Sequence, residues 1–311
     1  MFELLVNLML TSLFLQSQAD QQTIIDNISN QEYQLPQADV RQLQINAPQK
    51  EFNNESVGVE VSARSVLVAD SKTGKVLYSK NPNEIRSIAS ITKLMTAMVF
   101  IDHNPGWKSE MEIIESDYRS GGIVYLISGE KISVYDIFHT ALIASSNEAA
   151  VAMARSTGLT SDEFVKKMNE KAFELGMLNT TFTDVTGLNS TNKSTAADVV
   201  ILIRSALLNN DIASAVGKAE HSIDIINKGI VRNIKSTDKI LNQEFGIGDN
   251  IYWVEGGKTG YLETAGYCFA SKVSDKNGKN VFTVVLGSPT INSRFSDTKS
   301  LAYWVFNNYN W

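Results

Sequence analysis

Residues 87–102 read SIASITKLMTAMVFID, and the reading of this stretch decides how the rest of the chain is understood. From Ile88 to Ile101 the only charged side chain is Lys93, in a segment that is apolar on nearly every face. A helix apolar all round is a buried helix, and a lone buried ammonium is costly unless it is paired or gives up its proton. Ser90 stands three residues ahead of Lys93. At that spacing the hydroxyl and the amine share one face of a helix. Desolvation then lowers the amine toward a neutral base able to take the hydroxyl proton. The helix N-terminus adds partial positive charge where an oxyanion could form.

The S-x-x-K spacing recurs at Ser128, Ser190, Ser236 and Ser296, but those copies sit among Gly, Asn and Asp, where a lysine stays solvated. Two further patterns gain meaning only beside the first. Ser145-Ser146-Asn147 interrupts two apolar helical segments, so its side chains can line a cleft, whereas the S-x-N spacings at Ser79 and Ser190 lie in polar stretches. Lys258-Thr259-Gly260 lies on a strand bounded by glycines, where a missing side chain lets a ligand approach the backbone. Taken alone, Ser145 reads equally as a helix cap and Lys258 as a surface cation. The same tripeptide at Lys72-Thr73-Gly74 falls between two alternating segments in VEVSARSVLVADSKTGKVLYSK, residues 59–80, and is expected at a hairpin tip with its lysines in water.

From Glu110 to about Ala219 apolar residues recur at helical spacing, with start signals at Ser161 before Glu163 and at Ser194 before Asp198. Strand patterns return from Ile223 onward, in IDIINKGIVRNIK, YWVEGGKTG, AGYCFASKVS and NVFTVVLGS, and a last amphipathic helix runs from Phe295 to Asn308. The expected fold is α+β: an antiparallel β-sheet assembled from both ends of the chain, flanked by helices, with an inserted all-helical subdomain over about 110–219. Residues 57–311 form the ordered domain in this reading. Residues 20–56, rich in Gln and Asn, read as a flexible linker. Residues 1–19 carry a short apolar run and the small-residue triplet Ser17-Gln18-Ala19, as an export segment does, without its basic start.

A net charge of −6 with no dense Lys/Arg run excludes a nucleic-acid surface. One cysteine, Cys268, excludes an internal disulfide, and it reads as a buried strand thiol. His103, His139 and His221 are too scattered for a metal motif, and no G-x-G-x-x-G fingerprint occurs, so neither metal nor cofactor is expected.

The order Ser90-x-x-Lys93, Ser145-x-Asn147, Lys258-Thr259-Gly260 resembles the signature of the penicillin-recognising serine acyl-transferases. The flanks SIASITKLMTA, LIASSNEAA, NEKAFELGMLNTTFTDVTGL and GGKTGYLETAGYCFA resemble the low-molecular-weight D-alanyl-D-alanine carboxypeptidases, and the likeness runs from about Val57 to Trp311. The resemblance implies Ser90 as nucleophile, Lys93 as its base, Ser145 and Lys258 as a proton relay, and Asn147 as a holder of the peptide backbone. It implies Thr259 and Gly260 as part of the wall for the terminal carboxylate, the Tyr261 N–H beside that of Ser90 in an oxyanion hole, and Arg294 near the carboxylate pocket. A guanidinium pairing of Arg294 with Asp297 is the competing reading. Departures from the family pattern are Ser146 and Glu148 where glycine or alanine and aspartate are commoner. No β-rich second domain and no C-terminal amphipathic anchor helix is recognised.

The resemblance implies an exported penicillin-sensitive serine DD-carboxypeptidase, in the periplasm or at the outer face of the cytoplasmic membrane, acting on peptidoglycan stem peptides that end in D-Ala-D-Ala. A DD-endopeptidase of the same family is the nearest alternative. A class A-like β-lactamase would need a deacylating glutamate, and Glu174 in ELGMLN lies at the wrong spacing. A silent penicillin-binding sensor would not need Lys93, Ser145 and Lys258 intact.

Overall fold

Alternation along the strands builds a sheet with an apolar face on each side. In β1 (Ser65–Asp70) Leu67 and Ala69 enter one core while Val66 and Val68 enter another, so a strand buried at every position serves both layers. A computed structural model describes residues 47–51, 56 and 58–311. It continues the main sheet with β2 (Val76–Lys80), β3 (Glu244–Ile247), β4 (Asn250–Leu262), β5 (Gly266–Asp275) and β6 (Asn280–Ser288). The order is β3-β4-β5-β6-β1-β2, antiparallel throughout. The N-terminal hairpin thus joins the C-terminal meander through β6 and β1, where Val285 stands opposite Val66.

The helices are α1 (Thr92–Asp102), α2 (Val134–Ile143), α3 (Asn147–Ser156), α4 (Ser161–Glu174), α5 (Ala196–Ala206), α6 (Asn210–Val216) and α7 (Ser293–Asn308). One core takes α7, through Phe295, Leu301 and Val305, against Phe269, Val281 and Val285 of the sheet. The other core holds the remaining helices, with α5 lying against β6 and β1. The mixed helix and antiparallel-sheet class expected from the sequence is the one observed.

Several details differ from expectation. The caps of α4 and α5 are Thr160 and Thr195, each one residue from the hydroxyl first assigned: Thr160 closes a capping box with Glu163, and Thr195 accepts from the Asp198 N–H. The insert is not all-helical, because Glu110–Glu112 pairs with Lys131–Ser133, and Lys193–Ser194 pairs with Arg86–Ser87. The ribbon Glu220–Ile225 with Ile230–Lys235 stands outside the main sheet and lays Ile223, Ile225 and Ile234 on the helical core.

The stretch read as a linker has structure at its end: Gln49–Lys50 pairs with Tyr309–Asn310, and the Lys75 amine donates to the Pro48 carbonyl at 2.6 Å. Lys75 is therefore tied down, while Lys72 at the same hairpin tip is exposed and Gly74 takes a φ of +74°. The segment 1–19 lies outside the described residues. Among the described residues no single helix is long and apolar enough to cross a membrane.

Candidate active site

Ser90 occupies a single 3-10 turn, Ala89–Ile91, that runs directly into α1. The turn enters through Ala89 at φ +47°, a region that non-glycine residues seldom adopt. Gly187, at φ +82°, lies against the Ala89 carbonyl so closely that a β-carbon there would overlap it. The loop 183–192 is thereby pressed onto the base of the Ser90 turn.

One turn on, Lys93 is fully buried. Its Nζ lies 3.0 Å from Ser90 Oγ, 2.8 Å from Asn147 Oδ1 and 2.8 Å from the Thr186 carbonyl oxygen. Burial lowers its pKa to about 7, against the upward pull of Asp184 and Glu148. As an ammonium it donates to all three oxygens; once it loses a proton, its two N–H groups still serve the two carbonyl-type oxygens, which can only accept, and its lone pair is left for the serine hydroxyl.

The second element comes from the break between α2 and α3. Ser146 caps α3 by accepting from the Ala149 N–H, which makes Asn147 the first helical residue. Ser145 just ahead adopts φ +60°, and its Oγ accepts from Lys258 Nζ at 2.7 Å. Asn147 is clamped on both sides: its Oδ1 accepts from Lys93, and its Nδ2 donates to the Gly121 carbonyl at 2.8 Å. Glu148 faces the same loop and accepts from the Tyr125 and Leu126 N–H groups.

The third element is the end of β4. From Gly256 to Leu262 this strand pairs with β5, and β3 reaches only as far as Trp253. Among the described residues no strand pairs with its other edge there, the kind of edge to which an extended peptide adds. Lys258 is buried and its pKa is held well below the usual lysine value, first by burial and then by the charges of Lys93 and Arg294. Thr259 Oγ1 lies 2.7 Å from Thr237 Oγ1. Gly260 packs on the Ser90 turn, and Tyr261 is half exposed with its ring stacked on Tyr267. Arg294 reaches the strand from α7 and donates to the Gly260 carbonyl at 3.2 Å. The pairing with Asp297 does not form, since that carboxylate accepts from Ser62, Ala63 and Ser288.

All nine sequence-nominated residues thus lie together, on the Ser90 turn and the start of α1, at the break between α2 and α3, at the end of β4, and on α7 directly behind that strand. The other S-x-x-K copies do not: Lys131, Lys193 and Lys239 are exposed and Lys299 is half-buried. Sequence reasoning missed Thr237, Thr186, Asp184 and Asn192. Asp184 accepts from the N–H groups of Thr186, Gly187 and Asn189 and from the Thr186 hydroxyl, which fixes the carbonyl that Lys93 uses. Asn192 ties Asp184 to Thr92 on α1. The Asx- and Thr-rich run TDVTGLNSTN was the available signal for such a self-bonded loop.

A buried lysine beside a serine hydroxyl, backed by a second serine and lysine at the end of β4, fits the class of serine hydrolases. The family model for D-alanyl-D-alanine carboxypeptidases matches residues 49–290, and the chain belongs to that family. It is 33% identical over 249 residues to a D-alanyl-D-alanine endopeptidase of Pseudomonas aeruginosa, covering 79% of this chain and 78% of that one. It is 32% identical over 255 residues to the D-alanyl-D-alanine carboxypeptidase DacF of Bacillus subtilis, covering 79% of this chain and 63% of that protein. Among solved structures it resembles penicillin-binding protein D2 of Listeria monocytogenes in the cefotaxime-bound form, with a TM-score of 0.69, 29% identity, and coverage of 81% of this chain and 100% of that one.

Proposed function

We propose that the protein is a serine D-alanyl-D-alanine carboxypeptidase that removes the terminal D-alanine from peptidoglycan stem peptides, and that β-lactams acylate the same serine. The observation that carries this is the fully buried Lys93 amine, 3.0 Å from Ser90 Oγ, with its remaining partners both pure acceptors. Ser90 Oγ attacks the carbonyl carbon of the penultimate D-alanine while its proton passes to Lys93 Nζ. The oxyanion forms between the N–H groups of Ser90 and Tyr261. Collapse breaks the C–N bond, and the proton taken up by Lys93 is passed to the departing amine by way of Lys258 and Ser145, which are hydrogen-bonded at 2.7 Å. Water then cleaves the ester, its hydroxyl going to the acyl carbon and its proton to Ser90 Oγ.

Asn147 holds Lys93 and the substrate backbone. Thr259, braced by Thr237, receives the terminal carboxylate beside Gly260, and Arg294 adds positive field from behind the strand. Residues 47–311, rather than 57–311, serve as the catalytic domain, with residues 110–219 as its mainly helical part. An export segment at residues 1–19, joined through the rest of the 20–56 stretch, delivers it to the periplasm or the outer face of the cytoplasmic membrane. Likeness to a D-alanyl-D-alanine endopeptidase supports cleavage of cross-links as a second reading.

Incubating the purified protein with a D-Ala-D-Ala pentapeptide and with a cross-linked muropeptide, and weighing the products by mass spectrometry, separates the two. Loss of one alanine from the pentapeptide is expected. Ser90→Ala should abolish that loss and all labelling by fluorescent penicillin, and labelling that survives would overturn Ser90 as nucleophile.

A further inference from the structure

The turn after β4 forms one wall of a cavity of about 680 Å³ at the end of the main sheet, bounded also by the ends of β6 and β2 and the start of β1. Its charged lining is Arg64, Lys80 and Arg86 against Glu84 and Glu263. Glu84 is taken up by an ion pair with Arg86. The Arg86 Nε is nevertheless buried with no acceptor. The Lys80 amine donates to the Val61 and Ala63 carbonyls, so no carboxylate cancels its charge there. Arg64 is exposed, and among the described residues its guanidinium has no partner.

Two glycines make room for these cations. Gly287 has φ +74°, and a β-carbon on it would lie 2.8 Å from an Arg86 terminal nitrogen and 3.1 Å from the Arg64 β-carbon. Gly266, at φ +70°, abuts Gly287 in turn, at 3.0 Å from a built β-carbon to the Gly287 α-carbon. The result is a bare backbone floor with guanidinium groups at its edge and an unsatisfied buried donor. A buried donor without an acceptor is costly, and planar guanidinium forks match carboxylates best.

The cavity's position says which part of a substrate reaches it. Gly260 touches the Ser90 turn, and the next residue, Tyr261, already lines the cavity. With the leaving residue's carboxylate at Thr259, a peptide extended along the open edge of β4 carries its acyl half past Tyr261 toward this cavity. We propose that the cavity is a subsite for a carboxylate on the acyl half of the stem peptide, so that the protein prefers donors with a free acid two or three residues before the scissile bond. This rests on the peptidase reading above. Two groups have the required chemistry: the α-carboxyl of a γ-linked glutamyl residue, and the side-chain carboxyl of a diamino diacid at the third position.

The test uses the full chain and four substrates ending in D-Ala-D-Ala: a stem peptide with both acids free, the same peptide amidated at one or at the other acid, and N-acetyl-D-Ala-D-Ala, too short to reach the cavity. The readout is kcat/KM for D-alanine release. Amidating one of the two acids should lower it about tenfold, which also identifies the group bound. Arg64→Gln, at an exposed position, should impose a similar loss on the free-acid peptide, erase the difference between free and amidated forms, and leave the short substrate unchanged. No effect of either amidation, or an equal loss on all four substrates in Arg64→Gln, would overturn the subsite. Absence of D-alanine release from every substrate by the native protein would overturn the peptidase reading itself.

Discussion

Gly260 is packed so tightly on the Ser90 turn that a β-carbon built on it would stand 3.2 Å from the Ser90 amide nitrogen and 2.8 Å from the Ile88 carbonyl oxygen. The strand edge and Ser90 are therefore held in register by the absence of a single methyl group. Both opposing atoms belong to backbone, which cannot swing aside as a side chain would.

Gly260→Ala should therefore displace β4 from Ser90. Overpacking of this kind costs about 1–3 kcal/mol, and misplacement at a reacting centre costs rate more steeply than stability. Acylation by fluorescent penicillin should slow roughly tenfold or more, with far-UV circular dichroism unchanged and a Tm lower by a few degrees. A variant that acylates at the native rate would show that this contact does not set the distance.

With the Lys93 pKa at about 7, the protonated amine predominates below that pH and cannot accept the Ser90 proton. The second-order rate of penicillin acylation should rise about tenfold per pH unit up to roughly pH 7 and then level. Asp184 pulls the Lys93 pKa upward, so Asp184→Asn should move this limb to lower pH, besides reducing the plateau through the loosened Thr186 carbonyl. A limb that stays in place in a folded Asp184→Asn protein would remove Lys93 as the titrating base.

The proposed receiver of the terminal carboxylate is Thr259, whose hydroxyl is hydrogen-bonded to that of Thr237. Thr259→Val should weaken substrates with a free terminal carboxylate by roughly ten- to a hundredfold in kcat/KM, corresponding to about 1.5–3 kcal/mol for a hydrogen bond to a charge. C-terminally amidated analogues should lose much less. Thr237→Val, acting through Thr259, should raise KM with little change in kcat. Equal losses on acid and amide would place the carboxylate elsewhere.

Glu174 is exposed at the C-terminal end of α4 and is not the positioned carboxylate that a lactamase needs to activate water on a penicilloyl ester. Intact-mass spectrometry should show a penicillin adduct on the Ser90 peptide that outlives many peptide turnovers, with the same lifetime in Glu174→Gln. Rapid clearance of penicillin that disappears in Glu174→Gln would reverse this reading.

The sequence displayed what depends on short-range pattern. Two-residue alternation marked both halves of the sheet, and the unbroken apolar run around Lys93 marked a buried helix with a reason to lose its charge. The ribbon at Glu220–Lys235 was legible as strands but not as a sheet of its own, because periodicity says that a face is covered without saying by what, and its isoleucines are covered by α2 and its neighbours. The caps slipped by one residue because Thr160 and Ser161, or Ser194 and Thr195, are adjacent hydroxyls of equal competence, and only backbone geometry chooses between them. In the site, Ser90, Lys93, Ser145, Asn147 and Lys258 were visible as side-chain chemistry. Thr186 was not, since it holds Lys93 with a main-chain carbonyl 93 residues away, a contribution indifferent to its side chain.

The short ladder between Gln49–Lys50 and Tyr309–Asn310 has a geometric consequence. Gln49 takes a hydrogen bond from Lys75, next to the Asp70–Lys75 turn, whereas Gly260 lies at the opposite pole of the sheet, level with the start of β1 and the end of β2. Entry and exit of the folded chain therefore share one point, and that point is remote from the cleft. A bead, a surface or a fused partner joined at Trp311 would take the enzyme by its heel, at the end of the sheet opposite Gly260.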